Sequence, residues 1–181
     1  MIASKIVLYH GTTFNFTEID LRRGKPFKDF GQGFYATLSR ESAANMALRN
    51  RDIESRRLKR RGLTREATPW LYTYELDENK LGTLNVKRFK NADKEWVLFI
   101  TDNRTHNPHR HTYDIVIGPT ANDQTNPTIQ TYLSEGYGIV GSDRAIEILI
   151  EFLEPYNFPH QFFFGTKRAV NLLSFIGRCK I

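Results

Sequence analysis

The sequence has almost no cysteine and no long apolar run, and both absences exclude classes of protein. Its one cysteine, Cys179, rules out an intramolecular disulfide, which favours a reducing compartment. The longest apolar stretches, residues 6–9 and 145–153, are far shorter than the roughly 20 residues of a membrane-spanning helix. No apolar segment near Met1 is long enough for a signal peptide. We therefore expect a cytoplasmic protein without membrane contact.

The composition is that of a folded globule with an excess of positive charge. With 181 residues, 40% of them hydrophobic and 13% aromatic, the chain predicts a single domain over residues 1–181. A net charge of +6 favours an anionic partner, such as a dinucleotide, a nucleic acid or an acidic protein. Many arginines fall within residues 49–65, and we favour a solvated helix face there over a phosphate-binding surface.

Hydrophobic periodicity alternates between short strands and amphipathic helices, which predicts an α+β fold. Ser39 is a typical N-cap for a helix that ends near Gly62, and Pro155 follows another whose core side includes Phe152. Further helices are predicted over residues 93–103, 142–153 and 166–173, and one more follows Asp123 and runs through Tyr132. Strands are predicted over residues 5–9, 70–76, 82–89, 113–117, 160–164 and 174–177.

Residues 29–37 carry the most distinctive local pattern, two glycines followed by an aromatic strand. Gly31 and Gly33 lack a Cβ atom, so this loop, which includes Phe30, can approach a ligand closely. Phe34 and Tyr35 point to opposite faces if they lie on a strand. We expect Phe34 in the core and Tyr35 facing the ligand.

Polar groups also stand at the ends of other strands. His10, Gly11 and Thr12 follow the first apolar run, and Asn122 and Asp123 follow residues 113–117. These last two residues also suit the cap of the next helix, and the two interpretations are compatible. Gln161 opens an apolar strand, where a buried amide needs a hydrogen-bond partner.

Three of the five histidines lie within residues 105–111. No nearby cysteine completes a metal-ligand pattern, so an exposed polar loop explains this run and no metal site is predicted.

Several of these motifs, taken in order, resemble a known family. They are His10-Gly11-Thr12, Gly33-Phe34-Tyr35-Ala36-Thr37, residues 113–119 with Ala121-Asn122-Asp123, and Gln161-Phe162-Phe163-Phe164 with Thr166-Lys167-Arg168-Ala169. The resemblance is to a small bacterial family of unknown function within the ADP-ribosyltransferase superfamily, which includes diphtheria-type toxins and poly(ADP-ribose) polymerases. It implies split antiparallel β-sheets with flanking helices and NAD as co-substrate in the cleft between them.

The resemblance also implies roles for individual residues. His10 would bond ribose hydroxyls, Gly11 would offer its backbone to the nicotinamide amide, and Tyr35 would stack on the nicotinamide ring. The NAD-binding set implied in this way is His10, Gly11, Thr12, Phe30, Gly31, Gly33, Tyr35 and Asn122.

Gln161 departs from the superfamily pattern, which usually has a glutamate on the late strand. Glutamine cannot supply the negative charge that stabilises the oxocarbenium character of the transition state. Asp123 is the candidate substitute acid, so the catalytic set is His10, Tyr35, Gln161 and Asp123. If the missing charge limits the rate, Gln161→Glu should accelerate the reaction.

The expected function is an NAD-dependent mono-ADP-ribosyltransferase of the bacterial toxin type, acting on a protein or a nucleic acid and neutralised by an antitoxin protein. Two alternatives stay open. One is a catalytically weak module that binds NAD or ADP-ribose. The other is an NAD-dependent transferase that removes a phosphate from RNA, for which the basic helix would be suited.

Overall fold

The computed structural model describes residues 5–122 and 124–181, and it has the predicted α+β composition. Asp123 lies outside these residues, so the role predicted for it stays a prediction. The strands are β1 (Lys5–Thr12), β2 (Phe34–Thr37), β3 (Trp70–Asp77), β4 (Val86–Arg88), β5 (Ile115–Gly118), β6 (Gln161–Phe164) and β7 (Leu173–Lys180). The α-helices are α1 (Arg40–Arg60), α2 (Lys94–Thr105), α3 (Thr125–Leu133), α4 (Asp143–Leu153) and α5 (Lys167–Val170).

The strands form one seven-stranded sheet in the order β4-β5-β6-β2-β1-β3-β7. All neighbours are antiparallel except β4 and β5, which are parallel. The β1–β3 ladder has eight residue pairs and the β2–β6 ladder has four, whereas β1 and β2 pair only at Tyr9 and Thr37. The sheet therefore consists of two well-paired halves that meet at a single residue pair.

Three helices begin at side-chain caps, at Ser39 as the sequence predicts and at Asp93 and Ser142, the first residues of two predicted helices. The side chains of Ser39, Asp93 and Ser142 accept hydrogen bonds from backbone N–H groups in the first turns of α1, α2 and α4. Each cap satisfies a donor that the helix itself leaves unpaired. The helix α1 ends at Arg60, close to Gly62, as expected.

A separate apolar core covers each face of the sheet. In β6, Phe163 packs into the core that α2, α3 and α4 cover, whereas Phe162 and Phe164 pack into the other core. This alternation is the period of two that a strand imposes on its side chains. The second core is closed by α5 and by the loop after β1, and its members include Leu8, Phe34, Ala36, Tyr72, Tyr74, Leu76, Ile115, Ile117 and Ala169.

Four predictions for the elements and the core differ from the structure, and the first is the helix expected over residues 166–173, which is only α5 because Leu173 already opens β7. Phe152 is 55% exposed and not in the core, because the buried stripe of α4 follows Ala145, Ile146, Leu149 and Leu153. The strand expected over residues 82–89 is only β4, since Asp77 caps a 3-10 turn over Glu78–Thr83. The last strand is longer than residues 174–177, because β7 pairs with β3 along its length.

The arginine-rich part of α1 forms exposed local ion pairs. Arg51 pairs with Asp52, and Arg57 pairs with Glu54 one helical turn away. Such pairs are typical of a solvated helix face, the interpretation that the sequence favours.

Candidate functional site

The structure brings His10, Tyr35 and Gln161 to three neighbouring strands, β1, β2 and β6. Thr37 of β2 pairs with Tyr9 on one side and with Gln161 on the other. Tyr9, Thr37 and Gln161 therefore form one row across the sheet. His10 is one residue from this row along β1, and Tyr35 is two residues from it along β2. Three positions far apart in the sequence are thus gathered in one small part of the fold.

His10 is held by the backbone of Tyr35. Its Nδ1 atom lies 2.7 Å from the Tyr35 carbonyl oxygen. Burial lowers the pKa of His10 to about 4, although this hydrogen bond acts in the opposite direction. The imidazole is therefore neutral at pH 7, and because a carbonyl only accepts, Nδ1 carries the proton. Its Nε2 atom is an acceptor with no hydrogen-bond partner among the described residues.

The contact between His10 and Tyr35 spans the opening between the two halves of the sheet. Beyond the Tyr9–Thr37 pair, residues 10–12 and 34–36 do not continue the ladder, so the two strands separate. The His10 ring lies 4.5 Å from the Phe34 ring, on the opposite side of β2 from the Tyr35 side chain. The His10 ring and the Tyr35 side chain therefore lie on opposite faces of the sheet, and the contact between the two residues is made through the Tyr35 backbone.

Tyr35 fastens the glycine loop to β2. Its hydroxyl donates to the Gly31 carbonyl at 2.7 Å and accepts from the Phe30 N–H at 3.1 Å. Burial, and then the nearby carboxylate of Asp29, raise the pKa of Tyr35 well above its usual value. Phe34 lies in one core, as predicted, whereas Tyr35 is half-buried and packs against the other core, so its contact with a ligand stays a prediction.

Packing within the protein explains both glycines of this loop. Gly31 has a φ of +94°, a conformation that favours glycine, and a Cβ atom there would lie 2.5 Å from His109 Nδ1. A Cβ atom at Gly33 would lie 2.4 Å from the Phe163 ring. The close approach of a ligand to these glycines stays a prediction.

Two histidines of the run 105–111 pack against the glycine loop, so the prediction of an exposed loop is wrong for them. His109 Nδ1 accepts from the Gln32 N–H at 3.3 Å, and His111 Nε2 donates to the Phe30 carbonyl at 2.8 Å. The two rings stack with centroids 4.4 Å apart, and burial lowers the pKa of both. In the sequence, the only sign of this contact is the histidine spacing of two. Within residues 5–122 and 124–181, no three His, Cys, Asp or Glu side chains could hold a metal ion.

A buried polar cluster surrounds Gln161, and the sequence interpretation missed its main member. Asp29 is only 4% exposed, and its Oδ2 atom accepts from Gln161 Nε2 at 2.7 Å. Its Oδ1 atom accepts from Arg104 Nε at 2.9 Å and from Arg104 Nη2 at 2.6 Å. The need of Gln161 for a partner was visible in the sequence, but no pattern linked it to Asp29, which lies 132 positions earlier.

The amide of Gln161 has a second fixed acceptor. Its Nε2 atom lies 3.3 Å from the Pro119 carbonyl oxygen, which also accepts from the indole N–H of Trp96 at 3.1 Å. The Oε1 atom of Gln161 has no hydrogen-bond partner among the described residues. The side chain thus donates into the protein and leaves its carbonyl oxygen available.

Three other predicted site residues have structural contacts of their own. A Cβ atom at Gly11 would lie 1.8 Å from the Ala43 carbonyl oxygen, so Gly11 lets α1 pack directly on β1. Thr12 accepts from the Phe14 N–H. Asn122 accepts from the Gln124 N–H and donates to the Phe152 carbonyl, but it does not cap α3 as predicted, because the N-cap is Gln124 and no side chain among the described residues caps the first turn. None of its contacts is with His10, Tyr35 or Gln161.

An open groove of about 380 Å³ lies at the loop after β1, and His10 is not among its lining residues. It is lined by residues 15–18 with Asp20, Arg23 and Arg178. Phe16 stacks on Tyr72 with centroids 4.2 Å apart, and its ring lies 6.1 Å from that of His10. A second groove of about 380 Å³ has Arg65, Trp70 and Lys180 among its lining residues. Gln161 lines neither groove.

The structure is that of an α+β protein with a buried polar cluster of Gln161, Asp29 and Arg104 on one face of the sheet and His10 on the other face. The chain belongs to the DUF3990 family, described as proteins of unknown function, whose family model matches residues 6–175. No curated protein and no solved structure matches the chain. No helix within the described ranges is long and apolar enough to cross a membrane.

Proposed function

We propose that this protein is an NAD-dependent mono-ADP-ribosyltransferase of the bacterial toxin type, with an ADP-ribosyltransferase-like fold. One observation carries the proposal: His10, Tyr35 and Gln161, the three positions that the resemblance singles out, lie on neighbouring strands. The single residue pair between β1 and β2 supports the split-sheet part of this interpretation. A ligand at the opening could contact groups from both faces.

In the proposed reaction, the bond between the nicotinamide nitrogen and ribose C1′ of NAD breaks. Nicotinamide leaves with the electron pair, and positive charge develops on the ribose. A nucleophile of a protein or nucleic-acid acceptor then attacks C1′ and releases a proton. Enzymes of this kind contribute mainly by orienting the two reactants and by stabilising the developing charge.

The neutral His10 suits the recognition of a ribose. Its Nε2 atom can accept a hydrogen bond from a hydroxyl group, and its Nδ1 atom is already committed to Tyr35. The groove at the loop after β1 carries Arg23 and Arg178, which could bind the pyrophosphate of a dinucleotide, together with Glu18 and Asp20. We place the phosphate end of NAD toward this groove and the nicotinamide toward Tyr35 and Gln161.

A module that binds NAD or ADP-ribose without turnover is the second candidate. It is favoured by the pairing of Asp29 with Arg104, because Asp29 is the carboxylate that bonds Gln161 and its charge is already compensated. In that case the cluster would stabilise the transition state only weakly.

Nicotinamide release from NAD separates the two candidates. We expect the purified protein to release nicotinamide, and we expect His10→Ala to abolish release while the far-ultraviolet circular dichroism stays unchanged. Glu147→Ala, an exposed change on α4, is the matched control and should leave release unchanged. Binding of NAD without release would favour the binding module, and absence of both would overturn the proposal.

The acceptor is a separate question. Cell extract incubated with the protein and labelled NAD should yield a labelled protein or nucleic acid. A labelled nucleic acid that has also lost a terminal phosphate would instead indicate the RNA-directed reaction. A toxin of this type also predicts an antitoxin protein that suppresses the labelling.

A further inference from the structure

We propose that Asp29 is a positioning residue that fixes the amide of Gln161, and that position 161 must carry an uncharged amide as long as Asp29 stands beside it. The inference rests on the proposed function in one respect, since its effect on turnover is an effect on NAD cleavage. It goes beyond that function because it assigns a role to Asp29 and changes the role of Gln161.

The orientation of the Gln161 amide follows from its two neighbours. Both atoms that face Nε2, the Oδ2 of Asp29 and the carbonyl oxygen of Pro119, are acceptors only. Rotating the amide by 180° would place the Gln161 oxygen against both of them. The amide therefore has one favourable orientation, with its nitrogen inward and its oxygen outward.

Each of these two acceptors is itself held in place. Arg104 binds Oδ1 of Asp29 with two nitrogen atoms, and its Nη1 atom donates to Asn126 in α3. The Trp96 indole binds the Pro119 carbonyl. Because Asp29 and Trp96 are buried, these contacts are shielded from water. The amide is thus oriented by a rigid surrounding.

The outward oxygen gives glutamine the acceptor that a glutamate would offer to a ribose hydroxyl. A glutamate at position 161 would place a second carboxylate next to Asp29 and against the Pro119 carbonyl. Two carboxylates that share a site cannot both ionise without a strong rise in the pKa of one of them. We therefore expect Gln161→Glu to slow the reaction, in place of the acceleration that the resemblance alone suggests.

The test is an exchange of the two groups. At pH 8, Gln161→Glu should lower kcat for nicotinamide release by about 100-fold with little change in KM, as for loss of one oriented group in such a site. In the double variant Asp29→Asn/Gln161→Glu, the amide introduced at position 29 can accept from Arg104 and donate to the carboxylate introduced at position 161. This variant should recover most of the lost kcat. Gln130→Glu, an exposed change on α3, is the matched control and should have no effect.

Asp29→Asn alone leaves Arg104 buried without its carboxylate, so this variant serves only as the fourth corner of the cycle. The second readout is the equilibrium constant of unfolding in urea at pH 8, which needs no NAD. Gln161→Glu should raise this constant by about tenfold or more, and the double variant should reverse most of that rise. A purely local packing effect at position 161 would not be reversed by a change at position 29.

The outcomes separate this inference from the proposed function. If the wild-type protein releases nicotinamide but Gln161→Glu is equally or more active, the inference is overturned and the function stands. If no protein releases nicotinamide but the unfolding constants show the exchange effect, the function fails and the coupling of the two residues stands. A double variant no better than Gln161→Glu in either readout overturns the inference.

Discussion

At the scale of single residues, His10 shows how a neighbouring strand sets the chemistry of a side chain. The Tyr35 carbonyl fixes the proton on Nδ1, and burial keeps the ring neutral. The sequence indicated that His10 stands at the end of a strand, since a short apolar run precedes it. The tautomer could not be predicted, because it depends on the backbone of a residue 25 positions away.

The lowered pKa of His10 makes the protein less stable in acid. An unfolded histidine takes up a proton near pH 6.5, whereas His10 in the folded protein does so near pH 4. The contribution of His10 is therefore complete above pH 6.5 and is lost as the pH falls from 6.5 to 4, by about 3 kcal/mol at most. Urea denaturation between pH 4 and 7 measures this loss, and NMR titration of the His10 ring should give a midpoint near 4. A midpoint near 6.5 would contradict the burial of the ring.

The hydroxyl of Tyr35 holds the glycine loop in place. Tyr35→Phe would leave the Phe30 N–H and the Gly31 carbonyl without this partner. We expect a loss of about 1–3 kcal/mol in the free energy of unfolding, the usual cost of an unsatisfied buried group. Tyr156→Phe removes a hydroxyl from a ring that is 80% exposed and is the matched control. Equal stabilities of the two variants in urea would show that the loop does not depend on Tyr35.

At the scale of elements, helices were easier to predict than site contacts. Ser39, Asp93 and Ser142 are side chains that act on backbone within three residues, so their caps are visible in the sequence. In contrast, the hydrogen bond from the Gln32 N–H of the glycine loop to His109 joins residues 77 positions apart. Such a contact depends on how two loops meet over β6, which periodicity does not encode.

The packing of α1 on β1 depends on Gly11. A methyl group there would lie 1.8 Å from the Ala43 carbonyl oxygen, so Gly11→Ala must push the helix away from the strand. We expect a loss of about 1–3 kcal/mol in the free energy of unfolding, typical of overpacking. Gly177→Ala in β7 is the control, because a Cβ atom there meets nothing within 4 Å. If both variants melt at the same temperature, the direct contact between α1 and β1 is not needed.

At the scale of the whole molecule, the α+β class could be predicted, because strand and helix periods alternate along the chain. The strand order could not be predicted, because β6 pairs with β2 although the two strands are more than 120 residues apart in the sequence. The separation of β1 from β2 also left no local signal in the sequence. Its effect is nevertheless large, since it divides the sheet into halves.

This separation predicts a pattern of backbone exchange. Within residues 10–12 and 34–36, the amide groups that face the opening should exchange hydrogen faster than those bonded to β3 or β6. Hydrogen exchange followed by NMR measures both sets. If NAD binds at the opening, it should slow the fast set, whereas protection confined to α1 would place the ligand elsewhere.

The single Tyr9–Thr37 pair also affects what ligand entry requires of the backbone. A flat molecule that wedges between β1 and β2 beyond this pair breaks no further strand-to-strand hydrogen bond. The β1–β3 and β2–β6 ladders stay fully paired, so the two halves of the sheet can rotate relative to each other without losing these hydrogen bonds. Insertion of a ligand would then separate two strands that are unpaired beyond Tyr9 and Thr37 in the folded protein.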